Sequence, residues 1–299
     1  DRTIRLYTSV SEETVTAVVS AFETDNPGVR VQVFRAPTGD LNARIASEQR
    51  SDGVQADVIW ASDPLSMQAW DGQGLLLHGW TPDGASEVAD SFKTDSFWGT
   101  RLLYMVIVHR KGVGPIPSSW RDLAAPEYRD LVEIPDPGFA GSALAMLGYL
   151  ADEPGYGIDF YRDLKANGAR QVASPDDIVT DVAEGRADAG ITLEFSGRTA
   201  AEAGSPVEVV WPEPGAVSIY SPIGVTASSS EEDAAKSFVE SVLSVHGQEV
   251  IASTGWAPVR SDVEAPPIPP DAKIVNPDWA KLFSRQSQLL EEYRSIFEA

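Results

Sequence analysis

The sequence predicts an α/β protein of two lobes, and three observations carry that expectation. Strand and helix patterns alternate from Thr3 to Trp60. A second alternation follows Pro115, Pro117 and Trp120. A chain of 299 residues is long enough for two such units.

The elements follow in order. Residues 3–7 alternate as a short strand. Ser9 with Glu12 has capping-box spacing. Val15, Val18, Val19 and Phe22 then form one apolar helix face, and Asn26-Pro27-Gly28 stops that helix. Val29, Val31 and Val33 mark a second strand; Thr38-Gly39-Asp40 opens a helix with Leu41 and Ile45 inward. Residues 56–60 form a third strand, ending at Ala61-Ser62-Asp63-Pro64. This β-α-β-α-β order implies a parallel sheet with right-handed crossovers.

Residues 102–108 are apolar on both faces, as in a buried central strand. Residues 131–134 read as a strand that turns at Asp136-Pro137-Gly138. Gly141 and Ser142 then precede a helix-favouring run at 143–147. Residues 160–164 are helical. Ser174 at N-cap, Pro175 at N1 and Asp177 at N3 start a helix with Ile178, Val179 and Val182 inward. Gly185 ends it, and strands follow at 187–193 and 207–211. Residues 218–226 form a return strand, and 234–243 a helix with Ala235, Phe238, Val239 and Val242 inward. A short helix at 250–254 stops at Gly255, and 266–270 is a proline-rich connector. Residues 282–297 form an amphipathic helix docked through Leu282, Leu289, Leu290, Tyr293 and Phe297. No repeat recurs at a fixed period.

Composition narrows the function classes. The formal net charge is −22, from 23 basic and 45 acidic residues. Nucleic acid needs a basic footprint, so it is not an expected partner. Absence of cysteine excludes disulfides, thiolate metal sites and cysteine nucleophiles. The apolar run at 102–108 is too short to span a bilayer. Asp1 reads as a mature or trimmed start, its signal peptide removed. The sequence has no G-x-S-x-G elbow, H-E-x-x-H, P-loop or G-x-G-x-x-G. His109 or His246 could pair with an acid, although a surface or helix-end place is the commoner role of such a histidine, and Glu133 and Asp136 are not a credible acid–base pair. An enzyme is not expected; the alternative from that class is a hydrolase or transferase acting on a phospho-compound.

The stretch IPDPGFAGSALAML at 134–147 is the focus of the chain. Gly141, Ser142 and Ala143 stand at a helix start just beyond a strand end, where unpaired N–H groups and the helix dipole suit an anion. Ser142 either caps that helix or contacts a ligand.

The motifs also carry a resemblance. They include LYTS at 6–9, GDLNARI at 39–45 and ADVIW at 56–60, then PSSWRDL at 117–123, PEY at 126–128 and IPDP at 134–137. GRADAGIT at 185–192, WPEPG at 211–215 and GWAPVR at 255–260 complete the series. In this order the chain resembles a type 2 periplasmic-type solute-binding protein of an ABC importer, in the ferric-iron, phosphonate and sugar-phosphate branch. The resemblance implies a two-lobed type 2 periplasmic-binding-protein fold, each lobe a mixed sheet flanked by helices. Residues 1–102 with 222–270 would form lobe 1 and 103–221 lobe 2. Residues 271–299 would be a helical segment packed across the lobes. Residues 102–108 and 218–226 would be the two hinge strands, with ligand in the interlobe cleft. It also implies a monomer that docks on a membrane permease, located extracytoplasmically, in the periplasm or lipid-anchored.

Ferric members of the family use a histidine, a glutamate and adjacent tyrosines. Here Ser11, then Ser62 followed by Asp63, then Glu194-Phe195 stand in those places. Hydroxyls replace the metal donors: Ser9, Ser11, Thr38 beside Gly39, Ser62, Ser142 and Ser174. Such a set suits a phosphorus oxyanion, or merely caps helices and turns. Glu194 and Asp63, with Phe195, Trp60 and Tyr220, suit an amine end. The expected ligand is a small phosphorus-containing anion, 2-aminoethylphosphonate-like or a sugar phosphate, with no cofactor and no metal. Ferric iron with a synergistic anion at Tyr220, and a polyamine, stay open.

Overall fold

The structure is a computed structural model, and it describes residues 2–298. Alternating apolar residues make β1 (Arg2–Thr8), and the apolar face read from the sequence makes α1 (Glu12–Asp25). The chain continues through β2 (Val29–Arg35), α2 (Thr38–Gln49), β3 (Val58–Trp60) and α3 (Pro64–Gly72) to the long β4 (Trp98–Arg110). Then come β5 (Val132–Pro135), α4 (Gly141–Asp152), α5 (Gly157–Ala166), β6 (Arg170–Val172) and α6 (Pro175–Ala183). Next are β7 (Ala189–Leu193), α7 (Glu194–Glu202), β8 (Val207–Val210) and β9 (Ala216–Val225). The remaining elements are α8 (Glu232–Leu243), α9 (Val245–Ser253), β10 (Ala257–Pro258), β11 (Ile274–Val275), α10 (Trp279–Phe283) and α11 (Gln286–Phe297).

The chain divides into two compact units, Asp1–Leu102 with Tyr220–Pro267, and Leu103–Ile219 with Ile268–Ala299. In the first, β1 pairs in parallel with β2 and with β3, and β3 pairs antiparallel with the second half of β9. Its core joins α1 to α8 through Phe22 and Phe238, whose rings meet edge-on at 5.1 Å. Such a contact adds about 1 kcal/mol to simple burial.

In the second unit, β5 pairs in parallel with β6 and with β7, and β7 pairs antiparallel with β4. β8 joins β4, and β11 joins the first half of β9. The inner face of α6 packs into a cluster of Val108, Ile178, Val179, Val182, Ala187 and Val207. Gly190 permits that approach: a Cβ there would stand 2.3 Å from Ile178 Cγ2. Residues 271–299, expected across both lobes, fall within the second unit, where α11 packs on α4 and α5.

Several local expectations are corrected. The capping box of Ser9 and Glu12 does not form; Ser11 holds the N-cap position of α1, because the chain needs two more residues to leave β1. The N-cap position of α4 belongs to Ala140, and Ser142 is the second residue of that helix. The C-terminal amphipathic run is two helices, α10 and α11, broken at Ser284-Arg285. α3, β6 and α7 were not anticipated from the pattern.

Candidate functional site

Parallel pairing sets the site geometry in each unit. The ends of neighbouring parallel strands lie at one edge, about 5 Å apart per strand. In the first unit β2, β1 and β3 therefore deliver the starts of α2, α1 and α3 to one carboxyl edge. In the second, β7, β5 and β6 deliver the starts of α7, α4 and α6 in the same way. This edge is where open α/β sheets bind ligands.

At the first edge, Ser9 and Ser62 lock the loops after β1 and β3 together. Ser9 Oγ accepts from the Ser62 N–H at 2.9 Å, and Ser62 Oγ donates to the Ser9 carbonyl at 2.8 Å. Thr38 is buried and begins α2, whose first turn (Thr38, Gly39) has no side-chain cap. Asp63 plays a different part from the amine contact expected of it. It is fully buried and caps α3, accepting from the Ser66 N–H at 2.8 Å and the Ser66 hydroxyl at 2.9 Å. Burial pushes its carboxyl up to about 6, against the hydrogen bonds from Ser66. Trp60 is core, its indole N–H donating to Thr100 Oγ1. Tyr220 is 2% exposed and tilts against Phe92 at 5.8 Å. Burial, then the nearby Asp63 carboxylate, raise its phenol, so ionising it as an iron ligand is costly.

The residue that sequence reasoning missed is Arg101. It is 2% exposed. Its Nη1 donates to Ser11 Oγ and its Nε to Ser221 Oγ, both at 2.9 Å. Its guanidinium lies 4.1 Å from the centre of the Trp256 ring. Among the described residues it has no carboxylate partner, and the charge acting on it is another cation, Arg35. Burial, with a smaller effect from Arg35, pulls its guanidinium down to about 9. It remains charged at neutral pH. A buried cation without an acid is costly, and an oxyanion is the group that would relieve it.

At the second edge, Gly141, Ser142 and Ala143 are buried, and no side chain caps α4. Ser142, the second residue of α4, is 5% exposed and does not cap the helix. Ser174, expected as a ligand contact, is instead engaged in an exposed capping box. It donates to Asp177 Oδ2 at 2.9 Å and accepts from the Asp177 N–H at 3.3 Å. Glu194 begins α7, and its Oε1 accepts from Arg198 Nε at 2.6 Å. The Arg198 guanidinium also stands over the Phe195 ring at 5.8 Å. Register places Tyr104 beside Glu194, because Met105 pairs with Leu193. Burial, then the Glu194 charge, raise the Tyr104 phenol, so it stays a neutral hydroxyl. Tyr104 also tilts against Trp211 at 5.7 Å.

The family model for bacterial extracellular solute-binding proteins matches residues 4–257. A putative 2-aminoethylphosphonate-binding periplasmic protein of Salmonella paratyphi A is 25% identical over 248 residues, 79% of this chain and 71% of that protein. The spermidine/putrescine-binding periplasmic protein of Escherichia coli is 25% identical over 198 residues, 61% of this chain and 57% of that one. Among solved structures, the periplasmic binding protein AfuA of Actinobacillus pleuropneumoniae, with fructose-6-phosphate bound, superposes with a TM-score of 0.90 at 20% identity. That match covers 100% of this chain and 99% of AfuA. The chain belongs to the bacterial extracellular solute-binding proteins, the ligand-capturing components that serve ABC transporters.

Proposed function

We propose that this protein captures a small phosphorus-containing anion, with Arg101 as its counter-charge in the first unit. The observation that carries this reading is the buried guanidinium held by Ser11, Ser221 and Trp256 with no acid beside it. Phosphorus oxyanions accept several charge-assisted hydrogen bonds at once, which suits that fork together with the Ser11 hydroxyl. In the second unit the uncapped start of α4, with Ser142 in its first turn, suits the same chemistry. The Salmonella relative, named for 2-aminoethylphosphonate, supports this class.

A polyamine fits less well, since an uncompensated cation repels it. Ferric iron finds no group of three His, Cys, Asp or Glu side chains among the described residues. We read the chain as a binding protein with no catalytic step, acting as a monomer that delivers its ligand to a membrane permease. Whether it is held by a lipid anchor or free is a matter of the export segment, and lipid analysis of the native protein decides it.

The test is a thermal-shift panel on protein stripped of ligand by unfolding and refolding. Native-state ligands raise the melting temperature by mass action. Phosphate, hexose phosphates or 2-aminoethylphosphonate are expected to raise it, and spermidine and ferric citrate are not. A shift with spermidine or ferric citrate alone overturns the reading.

A further inference from the structure

An anion reading leaves the ligand's charge open, and the first unit holds a second group that bears on it. Arg35 is the last residue of β2, and parallel pairing sets it opposite Thr8 at the end of β1. Its Nε donates to the Val10 carbonyl at 2.7 Å. The next residue, Ser11, receives Nη1 of Arg101 at 2.9 Å. The loop after β1 therefore holds two guanidinium groups on adjacent residues, the exposed Arg35 and the buried Arg101, all within the first unit. The acids at the neighbouring helix starts do not answer them. Glu12 and Glu13 lie in the first turn of α1 and Asp40 in that of α2, and none pairs with either arginine among the described residues. Two like charges held together raise the local potential, and a ligand with a single negative charge offsets only part of it.

Resting on the phosphorus-anion reading, we propose that Arg35 is a specificity-determining residue. Together with Arg101 it selects a doubly charged terminal phosphoryl group over a singly charged phosphodiester. A monoester carries roughly two negative charges at neutral pH and three strong acceptor oxygens, enough to meet two guanidinium groups at once. A diester keeps one charge, and its second ester group takes the place of an acceptor oxygen. It leaves one of the two cations unmatched. The favoured ligand class is then a phosphate monoester or a phosphonate with a free terminal group.

The test is calorimetric titration of the full chain with methyl phosphate, dimethyl phosphate and glucose 6-phosphate at about pH 7.5, where a monoester is largely a dianion. The unsubstituted protein is expected to bind methyl phosphate at least about 30-fold tighter than dimethyl phosphate. Arg35→Gln is expected to weaken both monoesters about tenfold and dimethyl phosphate less than about threefold. Arg35→Lys keeps the charge and should keep the preference for monoesters, which a merely structural role for the Val10 hydrogen bond does not explain. Equal binding of methyl phosphate and dimethyl phosphate by the unsubstituted protein, or a preference that Arg35→Gln leaves unchanged, overturns the assignment alone. Failure of all three probes to bind overturns the phosphorus reading, and the assignment falls with it. Melting curves establish that both variants fold, as the exposed place of Arg35 leads one to expect.

Discussion

Each unit sets one arginine beside a helix start at the carboxyl edge of its parallel strands, and the two are treated in opposite ways. Arg101 is 2% exposed, hydrogen-bonded to hydroxyls and stacked on an indole, with a cation as its nearest charge. Arg198 is 22% exposed along its side chain and lies between Glu194 at 2.6 Å and Glu202 at 3.8 Å. Folding alone favours the second arrangement, because helical i,i+4 pairs are mildly stabilising. It is served less well by the first, where two hydroxyls and an indole offset only part of the desolvation and no acid faces the guanidinium among the described residues. A chain that keeps such a cation buried keeps it for a partner that brings the negative charge.

The largest effect expected from contrasting the units concerns their helix caps. The first unit caps α3 with the buried Asp63, and the second caps α6 with the exposed pair Ser174 and Asp177. The Asp63 carboxyl is raised from 3.8 to about 6, so the folded state binds its proton more tightly than the unfolded chain. Its contribution to stability is full below the unfolded value and is lost as pH rises through about 6. The loss amounts to about 3 kcal/mol. Asp63→Asn retains a capping side chain and should remove that pH dependence, whereas Asp177→Asn should not. Urea melts between pH 4 and pH 7 check this; parallel curves for Asp63→Asn and the unsubstituted protein would contradict it.

The next effect sharpens the contrast in charge. Burial and Arg35 lower the Arg101 guanidinium, which is charged at neutral pH. Arg101→Lys keeps that charge but loses the planar fork, and should weaken a hexose phosphate about tenfold. Titration calorimetry measures it, and an unchanged affinity would mean that Arg101 does not meet the ligand.

A smaller effect is expected at α4. Ser142→Ala removes a hydroxyl that does not cap its helix, so melting should hardly change while phosphate affinity falls about tenfold. An unaltered affinity would remove Ser142 from the site. Smallest of all is Glu194→Gln. Because Arg198 already neutralises Glu194, hexose phosphate affinity should move less than about twofold. A large loss would show that Glu194 meets the ligand directly.

The scaffold of this site was legible in local patterns. Alternation at Val29, Val31 and Val33, the apolar face of α1, and the Ser174-Pro175 start of α6 are each written within one element. The hydroxyls at strand ends followed from those elements, and parallel pairing gathers them at one edge in each unit. Which hydroxyls are engaged elsewhere was not legible. Ser174 and Asp63 cap helices, while Ser142 lies two residues past the cap position of α4. Arg101 was invisible for a different reason. It sits just outside the apolar run at 102–108, and its partners lie 90 and 120 residues away in sequence. No local pattern announces a cation whose meaning is the acid it lacks. The Glu194–Arg198 pair did leave a trace in its i,i+4 spacing, readable once residues 194–202 are known to be helical.

The most direct test of the account is the melting temperature of Arg101→Met, with and without a saturating hexose phosphate. Methionine fills similar volume without a charge to desolvate. The account predicts a ligand-free protein at least as stable as the unsubstituted one, and loss of the ligand-induced rise, corresponding to at least about 100-fold weaker binding. A ligand-free protein that melts lower yet keeps its full ligand-induced rise would contradict it, because Arg101 would then serve the fold and not the ligand.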